Sequence, residues 1–201
     1  MITSKISGVN ELKNKFRKII KSLDGPMITV GYHEDAADPP DGEIKMASLA
    51  AVHEFGAEIK HPGGTDYGYV SKAAAAEGKS RFLKKGTGYA VIGQTEPHDI
   101  KIPARPSLEP GVNSGLKEYE KIMAKGVDDA VNNGTDIKKT MHKIGVIAVG
   151  KVKEYMTDLK TPPNTPGTIR RKKSDNPLID EGHMRAAVDY KLETGDPEVG
   201  L

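Results

Sequence analysis

Residues 100–108 read Ile-Lys-Ile-Pro-Ala-Arg-Pro-Ser-Leu, and the chain changes there from an extended to a helical pattern. Ile100 and Ile102 alternate with polar neighbours, which predicts a short half-buried strand. Pro103 lacks a backbone donor and restricts the residue before it to the extended region, so the strand must end there. Ser107 is a suitable N-cap for the helical pattern that follows. This stretch therefore separates a mixed upstream part from a mostly helical downstream part.

Three elements are predicted near the start of the chain. Apolar residues recur at helical spacing over residues 8–24, which predicts an amphipathic helix that ends at Gly25-Pro26. A short apolar run rich in β-formers then predicts a strand over residues 27–32. A second helix is expected over residues 44–55, with Gly56 at its end.

The segment from Ala57 to Asp99 is rich in glycine and contains only short β-type runs. A structureless loop of this length would be unusual in a compact domain, so we expect a long, mostly polar β-hairpin or lid-like insertion. One helical turn is expected near Ala73–Ala76, and one strand over residues 88–94. The insertion leads into the strand over residues 99–103.

Downstream, two long helices and a last strand are predicted. Apolar residues repeat at intervals of three and four over residues 112–132, and again from Thr135 or Asp136 to residue 159. Ile147 and its neighbours lie partly off the stripe of the second helix, which indicates either a second subunit or simple core burial. A helical turn near His183–Arg185 precedes a strand over residues 186–192.

Composition narrows the class of protein. The chain has 201 residues, a formal net charge of +2 and no cysteine, so disulfides, thiolate metal sites and cysteine nucleophiles are excluded. A nearly balanced charge argues against a dedicated nucleic-acid binder. No long apolar run is present, so we expect no signal peptide, no membrane span and no membrane partner.

Three fragments superficially resemble binding motifs. Acidic residues around Pro39-Pro40 lack EF-hand spacing, so a solvated loop is favoured over a calcium site. His53-Glu54 lacks the second histidine of a zinc protease, because Ala57 stands there. Gly78-Lys79-Ser80 lacks the first glycine of a phosphate-binding loop, because Ala73 stands in its place. We therefore expect no catalytic residue, no metal and no cofactor.

Four fragments taken in order resemble the tail-completion or neck proteins of tailed bacteriophages. They are Val52-His53-Glu54-Phe55-Gly56, residues 102–108, residues 163–172 (Pro-Asn-Thr-Pro-Gly-Thr-Ile-Arg-Arg-Lys) and residues 176–182 (Asn-Pro-Leu-Ile-Asp-Glu-Gly). The resemblance covers nearly the whole chain, least clearly Ala57–Asp99. That family usually has a bulky residue where Ser107 stands and a threonine where Glu181 stands.

The resemblance implies an α+β fold, a small antiparallel sheet flanked by helices, as a single domain over residues 1–201 with the insertion as an assembly arm. It implies a structural virion protein, made in the host cytoplasm, that completes the tail and joins it to the head. The expected assembly is a ring of six copies, or alternatively twelve, around the DNA channel. Its expected partners are the head-side connector, the tail tube or tail terminator, and packaged DNA without sequence recognition.

The candidate contact residues follow from these expectations. Residues expected to contact other subunits or partners are His53, Glu54, Phe55, Tyr67, Tyr69, Phe82, Tyr89, Pro103, Arg105, Pro106, Ile147, Arg170, Arg171 and Lys172. Residues expected near DNA in the channel are Lys79, Arg81, Lys84 and Lys85. Two alternatives remain, a DNA-binding or tail-assembly accessory protein that uses the basic run, and a metal-dependent hydrolase.

Overall fold

A computed structural model describes residue 14 and residues 26–39 and 44–194 of the chain. Apart from Asn14, the helix predicted over residues 8–24 lies outside the described residues. The chain divides into two compact units. We call Gly56–Pro103 the hairpin unit, and the described residues on either side of it the base unit.

The base unit contains helices and one pair of strands. Its strands are β1 (Pro26–Gly31) and β7 (Asp189–Thr194), which pair antiparallel with Ile28 opposite Leu192. Its helices are α1 (Met46–Phe55), α3 (Leu108–Asn113), α4 (Leu116–Asn133), α5 (Ile137–Asp158), α6 (Pro166–Lys172) and α7 (His183–Ala186). Helix α5 packs against α3, α4 and both strands, so it forms the centre of this unit.

The core of the base unit lies along one face of α5. Val152 and Met156 of this helix are fully buried and pack with Met46 of α1 and Val188 before β7. The α5 stripe predicted from sequence is thereby confirmed, because Ile137, Met141, Ile144 and Ala148 are buried as well. Removal of this apolar surface from water is the main stabilising contribution to the unit.

The hairpin unit is a long antiparallel hairpin with a small additional element at its tip. Its elements are β2 (Ala57–His61), β3 (Asp66–Tyr69), α2 (Lys72–Ala76), β4 (Arg81–Phe82), β5 (Ala90–Gln94) and β6 (His98–Ile102). Strands β2 and β6 pair from Ala57 opposite Ile102 to His61 opposite His98. Strand β3 pairs with β5 on one side and β4 on the other, with an irregularity between Tyr67 and Gly68.

The α+β class with small antiparallel sheets is confirmed, but its details differ from the prediction. The predicted strands belong to three separate sheets rather than one. The helix predicted over residues 112–132 is two helices, α3 and α4, because the chain is interrupted at Ser114-Gly115. Helix α6 was not predicted, although Thr165 caps it and Pro166 occupies its first turn, which proline tolerates.

The observed ends of the strands also differ from the predicted ends by a few residues. The strand expected over residues 99–103 runs from His98 to Ile102 and ends before Pro103, as proline requires. The last strand begins at Asp189 rather than at residue 186, because the helical turn α7 extends to Ala186. None of the helices within the described ranges is long and apolar enough to cross a membrane.

Candidate functional site: a buried polar network and an exposed hairpin

Glu54 caps helix α3, which begins at the end of the 100–108 stretch. Its Oε2 atom accepts hydrogen bonds from the backbone N–H of Ser107 at 2.7 Å and of Leu108 at 3.2 Å. The first N–H groups of a helix have no partner inside the helix, and a carboxylate also suits the positive end of its dipole. Ser107 stands at the predicted N-cap position but makes no side-chain cap of its own. The capping role expected of Ser107 is therefore performed by Glu54, through tertiary contact.

Arg105 is the centre of the buried network. Its side chain is only 7% exposed, and its backbone N–H donates to the carbonyl of His53 at 2.6 Å. Its guanidinium donates to the carbonyls of Pro162 at 2.9 Å and Pro163 at 3.2 Å, and to Asn164 Oδ1 at 3.4 Å. A buried cation needs such acceptors to offset its lost hydration. Arg105 thus connects the 100–108 stretch to the loop after α5 by hydrogen bonds.

Asn176 continues the network on the far side of that loop. Its Nδ2 donates to the carbonyls of Met156 and Thr157 at 3.0 and 2.8 Å, near the C-terminal end of α5. Its Oδ1 accepts from the backbone N–H of Leu178 and Ile179 at 2.9 and 2.8 Å. The amide therefore satisfies backbone groups in both directions.

The backbone carbonyl of Asn176 also takes part in the network as an acceptor. It accepts hydrogen bonds from Asn164 Nδ2 at 3.2 Å and from Lys172 Nζ at 3.0 Å. Lys172 was expected to contact a partner, but the structure places its ammonium group in this internal contact. Burial is the main cause of a lowered pKa of Lys172. Its neighbours Arg170 and Arg171 are exposed.

His53 is half-buried, and its ring lies next to the network without joining it. Its Nδ1 atom is buried without a hydrogen-bond partner among the described residues. Burial lowers the pKa of His53, and the nearby Arg105 and Lys172 lower it further. The ring is therefore neutral at neutral pH. Within the described ranges, no group of three or more histidine or acidic side chains is placed to hold a metal ion.

A cavity of about 580 Å³ opens beside these residues. Its charged lining combines Arg105, Arg171 and Lys172 with Asp180 and Glu181, and His53 lines it as well. The only carboxylate–histidine contact described for this lining joins Glu181 to His183 at 3.1 Å, and both side chains are largely exposed.

The aromatic candidates of the hairpin unit differ in exposure. Tyr67 and Tyr69 of β3 are half-buried, whereas Phe82 is 70% and Tyr89 57% exposed. The basic candidates Lys79, Arg81, Lys84 and Lys85 are all exposed at the tip of the hairpin. Lys79 forms an exposed ion pair with Glu77 at 2.6 Å. The tip therefore presents aromatic and basic groups to solvent.

The remaining candidates are exposed or half-buried. Phe55 is 79% exposed at the end of α1, and Pro103 and Pro106 are exposed. Ile147 is half-buried on α5, while its neighbour Val146 is 59% exposed. Val149 packs on the core of the base unit, whereas Val146 does not.

Sequence reasoning missed the asparagines as structural side chains. Asn164 and Asn176 belong to the fragments that resemble the phage family, but neither was expected to hold the fold. The signal was the Asn-Pro pair at residues 176–177, since asparagine before proline favours a turn stabilised by its own side chain. The contact of Glu54 with Ser107 had no local signal.

Comparison with protein-family models, with curated proteins and with solved structures found no match to this chain.

Proposed function

We propose that this chain is a structural component of a phage neck, in which copies assemble into a ring that completes the tail and joins it to the head. The observation that carries the proposal is the surface of the hairpin unit. Within residues 56–103 Leu83 is the one buried large apolar side chain, whereas Phe82, Tyr89, Val91 and Ile92 are each at least 50% exposed. Large exposed apolar side chains concentrated in one unit are what an assembly surface needs, because a neighbouring subunit can cover them.

The architecture of the hairpin unit supports the same proposal. Two-stranded ribbons are marginally stable in water by themselves, because they bury little apolar surface against the entropy of ordering. Strands β2 and β6 form such a ribbon, and the sheet at the tip adds only the two-residue strand β4 beside β3 and β5. A neighbouring subunit would supply the missing apolar contacts, so assembly and order of this unit would be coupled.

The buried network supports a structural rather than a catalytic role. Each of the four fragments that resemble the phage family contributes a side chain to it, namely Glu54, Arg105, Asn164 and Asn176. Arg105 donates to the side chain of Asn164, and the other hydrogen bonds run to backbone groups. These side chains are thus engaged in holding the base unit together. A rigid base suits a ring component, whose contacts repeat from copy to copy and must keep one geometry.

The basic tip of the hairpin suits a position near DNA. Lys79, Arg81, Lys84 and Lys85 would contact phosphates without reading sequence. Such contacts predict weak binding to duplex DNA that falls steeply as salt is raised. A DNA-binding accessory protein would instead prefer particular sequences, and competition with unrelated duplexes distinguishes the two.

Electron microscopy of the purified protein and of labelled virions tests the proposal. We expect rings with a central opening in the purified protein, and label at the junction of head and tail. A variant with Phe82→Ser and Ile92→Ser should lose the rings, whereas Lys84→Ser, on an exposed polar position nearby, should keep them. Label confined to the capsid or the distal tail would contradict the proposal, as would a protein that forms no ring.

A further inference from the structure

The ribbon of β2 and β6 has two chemically distinct faces. Side chains alternate across a strand, so every second residue lies on the same face. One face carries Ala57, Ile59, His61, His98, Ile100 and Ile102. Ile59 and Ile100 are opposite each other on this face and are 46% and 37% exposed. The rings of His61 and His98 stack at its end with centroids 4.9 Å apart.

The other face consists of charged residues in alternating signs. Each strand contributes one acid and one base, Glu58 and Lys60 from β2 and Asp99 and Lys101 from β6. The register places opposite signs across from each other, and Lys101 Nζ lies 3.8 Å from Glu58 Oε1. Opposite-charge pairs across strands stabilise a register, and like charges oppose it.

Both outer edges of the ribbon are unpaired within the described part of the chain, since this sheet contains only β2 and β6. Natural proteins usually protect such edges, because unpaired backbone groups bind further strands. Here each edge strand carries both signs of charge and one apolar face. Such an edge disfavours a strand whose charges all have one sign. It favours a strand whose acids and bases alternate so that each lies across from an opposite charge.

We infer that the β6 edge of one copy pairs antiparallel with the β2 edge of a second copy, in the register that the two strands use within one chain. This inference rests on the proposed ring, and it adds a backbone contact between copies to the apolar contacts of the hairpin unit. Lys60 of one copy would face Asp99 of the next, Glu58 would face Lys101, and Ile59 would face Ile100. Because every copy offers one β2 edge and one β6 edge, the pairing is head-to-tail, and the closed ring of the proposed function leaves no edge open.

The charge pattern selects this register over its neighbours. A shift of two residues would place Lys60 opposite Lys101 in one direction, or Glu58 opposite Asp99 in the other. Both shifts therefore place like charges directly across from each other, which destabilises the pairing. A shift of one residue would move the apolar face of one ribbon to the charged side of the next. Among these registers, only the inferred one both continues the two faces from copy to copy and places opposite charges across from each other.

Disulfide trapping tests the pairing, because the natural chain contains no cysteine. Lys60→Cys and Asp99→Cys are made as two separately tagged chains, co-expressed, assembled and oxidised. Directly opposed residues on antiparallel strands have Cα atoms about 4.5–5.5 Å apart, within the range that a disulfide spans. Neither variant can form the disulfide within one chain. The expected product is a linked dimer that carries one chain of each tag.

Two controls define the outcomes. Lys85→Cys, exposed at the hairpin tip, replaces Asp99→Cys in a matched mixture and should give no linked dimer above background. A mixture of Asp99→Cys with Lys101→Cys reports β6 against β6 of the second copy. A linked dimer in that mixture, with none between Lys60→Cys and Asp99→Cys, would overturn the inference.

The mass of the wild-type assembly separates this inference from the proposed function. A wild-type ring whose Lys60→Cys and Asp99→Cys chains assemble but do not link would overturn the strand pairing and leave the ring. A wild-type protein that stays a monomer would overturn both. Linked dimers in the first mixture alone, from a wild type that forms rings, would support both.

Discussion

The carboxylate of Glu54 lies 2.7 Å from the backbone nitrogen of Ser107, across 53 positions of sequence. The contact joins the end of α1 to the start of α3, and the hairpin unit is inserted between these two points of the chain. Burial, and then the Glu54 carboxylate, raises the pKa of the nearby Tyr32. The contact of Glu54 with Ser107 therefore fixes the place where the chain re-enters the base unit.

Replacing Glu54 by alanine should destabilise the base unit. The variant leaves the N–H groups of Ser107 and Leu108 without their charged acceptor, which costs about 1–3 kcal/mol of unfolding free energy. Glu54→Gln should lose less unfolding free energy, because its amide oxygen can still accept hydrogen bonds from these N–H groups. Urea unfolding measures both, and Glu120→Ala, an exposed position on α4, serves as the control within about 0.5 kcal/mol of wild type. Equal stability of Glu54→Ala and the control would refute the capping role.

Arg105→Lys should lower the unfolding free energy of the base unit, although the substitution keeps the positive charge. Lysine cannot reproduce the planar fork that reaches Pro162, Pro163 and Asn164, so these partly buried acceptors lose their donors. The expected loss is about 1–3 kcal/mol of unfolding free energy. Arg171→Lys, exposed on α6, should leave stability nearly unchanged. Similar melting of the two variants would contradict the central place of Arg105 in the network.

His53 should make the stability of the base unit depend on pH. Burial lowers the pKa of His53 in the folded protein, so the unfolded chain binds a proton more readily. The stabilisation by the neutral ring is complete above about pH 6.5, the usual pKa of histidine, and is lost as the pH falls towards the folded pKa. His53→Gln should flatten this part of the stability profile. An unchanged slope in His53→Gln would show that its protonation does not limit stability.

Two glycines of α5 should respond in opposite directions to alanine. A β-carbon at Gly145 would overlap the ring of Tyr190, whereas one at Gly150 would meet nothing within 4 Å. Gly150→Ala should therefore stabilise by about 0.5–1 kcal/mol through helix propensity. Gly145→Ala should destabilise by about 1–3 kcal/mol, since the strand pair must move away from the helix. Calorimetry of both variants checks the packing of α5 against β7, and a stabilised Gly145→Ala would show that this packing is wrong.

The fold was predictable from sequence where a local pattern carried it. The stripe of α5 and the stop at Pro103 follow from periodicity and from proline chemistry, and both are present. The contacts of Glu54, Arg105 and Asn176 could not be predicted in the same way. They join residues that only the folded chain brings together, and a carboxylate gives no local sign that it will cap a distant helix.

The hairpin unit shows a second limit of sequence reasoning. Its short β-type runs predicted an antiparallel hairpin, but alternation alone did not reveal that β2 and β6 carry their charges in matching order. That order becomes visible only when the register is known. The exposed apolar side chains of the same unit are likewise a property of the fold, because Leu83 and Phe82 are neighbours with opposite burial.

The mass of the purified protein in solution tests the central claim most directly. Native mass spectrometry, or light scattering on a size-exclusion column, gives the number of 21.7 kDa chains in each particle. A ring component predicts a single closed species, of six copies or alternatively of twelve, that persists on dilution. A monomer at every concentration, or an open series of sizes that grows with concentration, would contradict it.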